Sequence, residues 1–136
     1  MSYLFDTNVV SETRKRRPPP QIVAVLNAIP LSAAHISVLT LGEMRRGAVM
    51  KAASDPGSAA EFELWLADIE TTLAGRILPI TPGIASRWGE MSAGRTRPVI
   101  DTLLAATASV HGLTVVTRNI RDFRDLGVSV LNPWSS

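Results

Sequence analysis

Short apolar runs alternate with longer amphipathic stretches along the whole chain, and this alternation restricts the folds that it can adopt. The apolar runs lie at residues 3–5, 35–38, 77–80, 114–117 and 129–131. The helical patterns lie at residues 21–29, 41–53, 58–74, 82–93 and 102–111. Strands that alternate with helices form right-handed crossovers, so the pattern predicts an α/β fold whose parallel sheet is covered by helices on both faces.

Length and composition are typical of one well-buried domain. The chain has 136 residues, of which 46% are hydrophobic and 19% are charged, so we predict a single domain over residues 1–136. The absence of cysteine excludes disulfides and thiolate zinc sites. Asp6 interrupts the place of a signal-peptide core, and no apolar run approaches the roughly 20 residues of a membrane span. We therefore expect a cytoplasmic protein without membrane contact.

Acidic and amide side chains follow the ends of the predicted strands. Asp6 follows the first run, and Asn119 lies just past the fourth, with Asp122 three residues later. Glu43 lies about one turn into the helix after the second run, and Asp101 precedes the last helix. Because parallel strands end at one edge of a sheet, where ligands bind in α/β folds, these side chains can converge.

Each of these residues also has a purely structural interpretation, which is the simpler one when the residue is taken alone. Asp6 can cap a short helix over residues 9–13, and Asp101 can cap the last helix. The segment from Thr40 to Glu43 has the form of a capping box. Asn119 and Asp122 also fit a helix start.

Taken together, the acids indicate a metal site. Carboxylates in one crevice raise one another's pKa values unless a cation neutralises them. Oxygen ligands without cysteine or a histidine pair favour a hard ion, Mg²⁺ or Mn²⁺. Such an ion promotes phosphodiester hydrolysis by polarising a phosphoryl oxygen and activating water.

Four segments resemble, in order, the motifs of the PIN-domain ribonucleases, and especially the VapC-type toxins of the FitB-like branch. These segments are Leu4-Phe-Asp-Thr-Asn-Val-Val-Ser-Glu12, Ile36-Ser-Val-Leu-Thr-Leu-Gly-Glu43, Asp101-Thr-Leu-Leu-Ala-Ala-Thr-Ala108 and Val116-Thr-Arg-Asn-Ile-Arg-Asp-Phe123. Each motif alone has low specificity, but four in series, spread over nearly the whole chain, make a strong match.

The resemblance implies a three-layer α/β/α sandwich with a five-stranded parallel sheet. It also implies an endoribonuclease that depends on Mg²⁺ or Mn²⁺, forms a homodimer and is silenced by a cognate antitoxin protein. By position in the motifs, Asp6 and Asp101 are expected to be the principal metal ligands, Glu43 to complete the acidic cluster, and Thr7 to support it.

The fourth position of the acidic site is ambiguous. Some PIN relatives carry Asp where this chain has Asn119, which adds no charge, and either Asn119 or Asp122 can complete the site. We therefore expect one well-held ion and a more weakly held second ion.

Basic residues cluster in the sequence although the net charge is only +2. Candidates for contacts with RNA or an antitoxin are Arg14, Lys15, Arg16, Arg17, Arg45 and Arg46. From charge alone, a solvated surface is the simpler interpretation of these clusters.

Two other functions remain open from the sequence. A phosphatase of the haloacid dehalogenase type also has an Asp at its first strand tip, but it requires a second Asp where this chain has Asn8. A non-catalytic PIN-like module that binds RNA or serves as a scaffold is the other alternative, and Asn119 keeps it open.

Overall fold

The computed structural model describes residues 1–135, and its centre is a five-stranded sheet in which all paired strands are parallel. The strands are β1 (Tyr3–Phe5), β2 (Ala34–Ser37), β3 (Ile77–Leu78), β4 (Thr114–Val116) and β5 (Val130–Leu131). The helices are α1 (Thr7–Val10), α2 (Pro20–Ala28), α3 (Val38–Ser54), α4 (Ala59–Thr72), α5 (Pro82–Ser92) and α6 (Val99–His111). Short 3₁₀ turns cover Ser11–Arg14, Leu31–Ala33, Pro56–Ser58 and Ile120–Phe123. The predicted α/β class and parallel sheet are confirmed.

The strand order places the first strand at the centre of the sheet. The order is β3-β2-β1-β4-β5, so the chain builds outward from β1 to β3 and then crosses back to form β4 and β5. The direction of the order therefore reverses between β1 and β4. In open α/β sheets, the crevice beyond the strand ends at such a switch point is where ligands bind.

Two hydrophobic cores lie on opposite faces of the sheet, because successive side chains of a strand point to opposite sides. Phe5 and Val116 belong to a core that α1, α3 and α4 cover. Their neighbours Leu4 and Val115 belong to a second core, which α6 covers. The predicted three-layer sandwich is confirmed.

The helical pattern predicted at residues 58–74 forms α4, which buries an apolar stripe. Phe62, Leu66 and Leu73 are buried in the first core, and the Trp65 ring meets the Phe62 ring edge-on, with 5.5 Å between centroids. Burial of each large apolar side chain stabilises the fold by roughly 1.5–3 kcal/mol. Within residues 1–135, no helix combines the length and the hydropathy that a bilayer crossing requires.

Two helices begin earlier than predicted, which changes the interpretation of two acids. α3 begins at Val38 because the Ser37 hydroxyl accepts a hydrogen bond of 3.0 Å from the Leu39 amide. Thr40 is therefore a buried residue inside α3, and the capping-box interpretation of Glu43 is wrong.

The last helix shows the same kind of shift. α6 begins at Val99, directly after Pro98, so Asp101 lies in the first turn of the helix and is not its cap. The structural explanation of Asp101 as an N-cap is therefore wrong as well.

Candidate metal-binding and catalytic site

Asp6 lies at the tip of β1, beside the switch point, and is almost completely buried. Its amide donates a hydrogen bond of 2.9 Å to the Val116 carbonyl, which extends the pairing of β1 and β4 by one residue. Its Oδ1 atom accepts from the Thr7 amide at 2.7 Å, so Asp6 also caps α1. The capping interpretation is therefore correct, but it accounts for only one of the two carboxylate oxygens.

The other oxygen of Asp6 is held by Thr117, which is not among the site residues predicted from the sequence. The buried Thr117 hydroxyl donates to Oδ2 of Asp6 at 2.8 Å and accepts from the Asn119 amide at 3.0 Å. Asn8 lies 3.4 Å from both groups through its Nδ2 atom. The sequence signal for this residue is a hydroxyl directly after β4, which is the other strand of the switch point.

Glu43 enters the same region from α3. The Thr7 hydroxyl donates a short hydrogen bond to Oε1 of Glu43, which connects the start of α1 with the second turn of α3. Glu43 is half-buried, so its carboxylate remains open on one side. The structure thus places Thr7 in contact with the acidic cluster, where the resemblance led us to expect it.

The remaining two acids, Asp101 and Asp122, interact directly. The pKa of Asp101 is raised to about 7, first by burial and then by a hydrogen bond with Asp122 that favours the protonated form. The charges of Asp6, Asp122 and Glu43 raise this pKa as well. Four carboxyl groups from four separate segments are therefore close enough to repel one another.

The environment of Asp6 is electrostatically similar. Burial is the main cause that raises its pKa, and the negative charges of Glu43 and Asp122 act in the same direction. The hydrogen bonds from the Thr117 hydroxyl and the Thr7 amide oppose this shift by stabilising the carboxylate. The site thus concentrates negative charge, and a bound cation would lower its energy.

The structure separates the two candidates for the fourth position. Asp122 is half-buried and lies beside Asp101, whereas Asn119 is exposed. The Asn119 amide is bonded to Thr117, and the residue lines an open concavity together with Asp122. Asp122 is thus the residue whose charge reaches both Asp6 and Asp101.

The donor set suits a hard cation, although the carboxylates are not yet arranged around one. Within residues 1–135, no three acidic or imidazole side chains form a ready-made ligand group. Glu43 is bonded to Thr7, and Asp101 is bonded to Asp122. Side-chain rotation at Asp101 would have to release its contact with Asp122 for the oxygens to converge on an ion.

The basic side chains proposed to contact RNA or an antitoxin differ in their present partners. The Arg14 guanidinium lies 4.4 Å from the centre of the Phe62 ring, and Arg14 shares a groove with Glu43. Lys15 is paired with Glu12, and Arg45 with Glu63, each at 2.6 Å. The remaining candidates are exposed: Arg16, Arg17 and Arg46.

Comparison with known proteins identifies the family. The sequence pattern of the PIN domain matches residues 3–128. The chain belongs to the PIN-domain family. Its similarity to toxins of this family extends over nearly its whole length. It is 32% identical to Toxin FitB of Neisseria gonorrhoeae, in an alignment that covers 96% of this chain and 97% of the relative.

Further PIN relatives show the same extent of similarity. The chain is 29% identical to VapC ribonuclease Y4jK of Sinorhizobium fredii, over 96% of both chains. The FitAcB crystal structure from Neisseria gonorrhoeae superimposes with a TM-score of 0.81 at 31% identity, covering 98% and 99% of the two chains. A toxin–antitoxin complex from Klebsiella pneumoniae superimposes at 0.70 and 28% identity, covering 97% and 98%. Membership of the PIN family argues against the phosphatase alternative.

Proposed function

We propose that this PIN-domain protein is the toxin of a toxin–antitoxin pair and cleaves RNA with the help of Mg²⁺ or Mn²⁺. The observation that carries the proposal is the convergence of Asp6, Glu43, Asp101 and Asp122 near the switch point of the sheet, where their charges act on one another. Groups with strongly shifted pKa values in a crevice are typical of functional sites. The names of the relatives, a toxin and a VapC ribonuclease, support the same activity.

In this proposal, Asp6, Glu43 and Asp101 hold the ion, and Asp122 rather than Asn119 supplies the fourth negative charge. When bound, the ion would polarise a phosphoryl oxygen and lower the pKa of the attacking water. Thr117 fixes the direction of the Asp6 carboxylate through its hydrogen bond of 2.8 Å. Thr7 does the same for Glu43.

Glu43 is the best-placed residue to orient the attacking water. Its Oε1 atom accepts from Thr7, which leaves Oε2 available to accept a hydrogen bond from a water molecule in the crevice. The side chain is only half-buried, so water can reach it. In the metal-free protein, Asp101 can keep its proton near neutral pH, because burial and the hydrogen bond with Asp122 raise its pKa to about 7.

The proposal includes partners and a place of action. A cognate antitoxin protein is proposed because a solved neighbour is a toxin–antitoxin complex. A homodimer in the cytoplasm is proposed from the family resemblance. Val49, Met50 and Leu64 are apolar side chains of α3 and α4 that are more than half exposed, and they offer a surface for either protein contact.

The activity is tested by incubating purified, antitoxin-free protein with RNA in the presence of Mg²⁺, Mn²⁺ or EDTA. We expect cleavage that requires the metal, and a loss of more than about 100-fold in Asp6→Asn, beyond what outer-shell changes cost at metal sites. Asp68→Asn on the exposed face of α4 is the matched control and should cleave normally. Because water is the proposed nucleophile, the products should lack a 2′,3′-cyclic phosphate.

The same assay distinguishes the enzyme from a non-catalytic module. Metal-independent cleavage, or equal rates for Asp6→Asn and the wild type, would contradict the proposed mechanism. A protein that binds RNA but cuts none in either metal would favour the scaffold interpretation.

A further inference from the structure

A polar concavity adjoins the acidic cluster on the side of β4 and β5. It lies between the end of β4 and the end of β5, and its lining includes Arg118, Asn119, Arg121, Asp122, Arg124 and Asn132. We call this surface the β4–β5 concavity. Asp122 belongs both to the concavity and to the acidic cluster, where it interacts with Asp101. The concavity therefore adjoins the proposed site of cleavage through Asp122.

The arginines of this concavity are not engaged by carboxylates. Within residues 1–135, no ion pair involves Arg118, Arg121 or Arg124, and all three residues are exposed. Arg45 on α3, by contrast, is held by Glu63 at 2.6 Å. The unpaired guanidinium groups thus lie beside the acids, whereas Arg45 is already neutralised.

The start of the concavity is held in a defined position. The Arg118 amide donates to Oδ1 of Asn8 at 3.3 Å, and its guanidinium lies 5.0 Å from the centre of the Trp134 ring. Asn132 accepts from the Trp134 amide at 2.9 Å through Oδ1, which leaves its Nδ2 group as a donor. The two strand ends are therefore connected across the concavity.

We propose that the β4–β5 concavity binds the phosphate backbone of the RNA strand next to the scissile bond. The inference rests on the proposed ribonuclease function and adds the surface that holds the substrate. A polyanion that approaches clustered carboxylates meets repulsion, and adjacent arginines offset it. The planar guanidinium binds phosphate oxygens in a bidentate manner, and exposed amides add further donors. An acidic protein segment could pair with the same arginines, but it contains no phosphodiester bond that the adjacent acidic cluster could cleave.

The proposal is tested by RNA binding in an Asp6→Asn background with EDTA, so that no cleavage interferes. The affinity for a fluorescent single-stranded RNA is measured over a series of salt concentrations. Arg121→Gln combined with Arg124→Gln should weaken binding by roughly two- to thirtyfold, as expected for two exposed ion pairs. The slope of log K against log salt should fall in magnitude by about 1.4, since each phosphate contact on a single strand contributes about 0.7.

A matched pair of substitutions controls for net charge. Arg76→Gln combined with Arg87→Gln also removes two positive charges, but Arg76 precedes β3 at the opposite end of the sheet. Arg87 is bonded to Ser109, two helical turns beyond Asp101 on α6. This control should keep the slope of the Asp6→Asn parent, and thermal melting should show that all variants fold.

The outcomes separate this inference from the proposed function. Equal slopes for the two double variants, or a larger effect on binding of a polyglutamate peptide than of RNA, would overturn the concavity proposal. If the wild type cleaves RNA while the slopes are equal, the ribonuclease proposal stands and the concavity proposal fails. If the wild type cuts no RNA but the Arg121→Gln and Arg124→Gln variant lowers the slope as described, the concavity binds RNA and the ribonuclease proposal fails.

Discussion

Two threonine hydroxyls determine how the carboxylates of the acidic cluster point. Thr117 donates to Asp6, and Thr7 donates to Glu43. Neither hydroxyl carries charge, but each holds one oxygen of a buried or half-buried acid in a fixed direction. Partners of this kind at metal sites affect affinity and activity by about 10–100-fold when they are removed.

Replacement of Thr117 is therefore expected to reduce activity without unfolding the chain. Thr117→Val keeps the shape of the side chain but removes its hydrogen bond to Asp6, and the rate of RNA cleavage should fall by about 10–100-fold. Thr117→Ser should restore most of the rate because it retains the hydroxyl. Thr107→Val is the control, since that buried hydroxyl only bonds the Leu103 carbonyl of its own helix. Wild-type activity in Thr117→Val would contradict the assigned role.

The acidic cluster should also make the metal-free protein sensitive to pH. The pKa of Asp101 is about 7 in the folded chain, against 3.8 for an ordinary Asp, so the folded state keeps a proton that the unfolded chain has lost. The contribution of Asp101 to stability is then greatest below about pH 4 and is lost as the pH rises to about 7. The melting temperature in EDTA should decrease over this range, and Asp101→Asn, which keeps a donor toward Asp122, should flatten the decrease. An unchanged pH profile in Asp101→Asn would refute the electrostatic account.

Part of this residue-level arrangement was predictable. Asp6 and Glu43 could be selected because each follows a predicted strand, and parallel strands end at the same edge of the sheet. The role of Thr117 was not predictable, since a threonine at a strand end usually signals only β propensity. Which of Asn119 and Asp122 faces the cluster depends on the 3₁₀ turn Ile120–Phe123, whose direction no sequence pattern specifies.

At the scale of elements, the acidic residues are positioned by the ends of strands and by the helices that follow those strands. α3 starts immediately after β2, with Ser37 as both the last strand residue and the helix cap. This direct transition brings Glu43 to the second turn of α3, beside Thr7 of α1. The predicted boundary was three residues too late because the apolar residues Val38 and Leu39 continue the strand-like pattern into the helix.

Removal of this cap should destabilise the protein. Ser37→Ala leaves the Leu39 amide without its partner at the buried start of α3, and the free energy of unfolding should fall by about 1 kcal/mol. Urea denaturation measures the change. Ser32→Ala, at an exposed position of the turn Leu31–Ala33, is the control and should have little effect. Equal stability of Ser37→Ala and the wild type would show that the cap contributes nothing.

At the scale of the whole molecule, the order of the strands explains why distant segments share one site. Asp6 follows β1 and Thr117 follows β4, the two strands at the switch point, although they are far apart in sequence. Glu43 and Asp101 enter from helices on opposite faces of the sheet. The alternation of strands and helices predicted this architecture, whereas the exact contacts among the acids depend on packing that only the structure shows.

The central claim is that these acids form a cation site, and calorimetric titration of Mn²⁺ into the purified protein tests it most directly. We predict that the wild type and Asp68→Asn bind at least one ion with a dissociation constant below the millimolar range. Asp101→Asn should bind more than about tenfold more weakly, because it removes a charged oxygen ligand. Absence of binding to the wild type at millimolar Mn²⁺, or equal affinity in Asp101→Asn, would contradict the account.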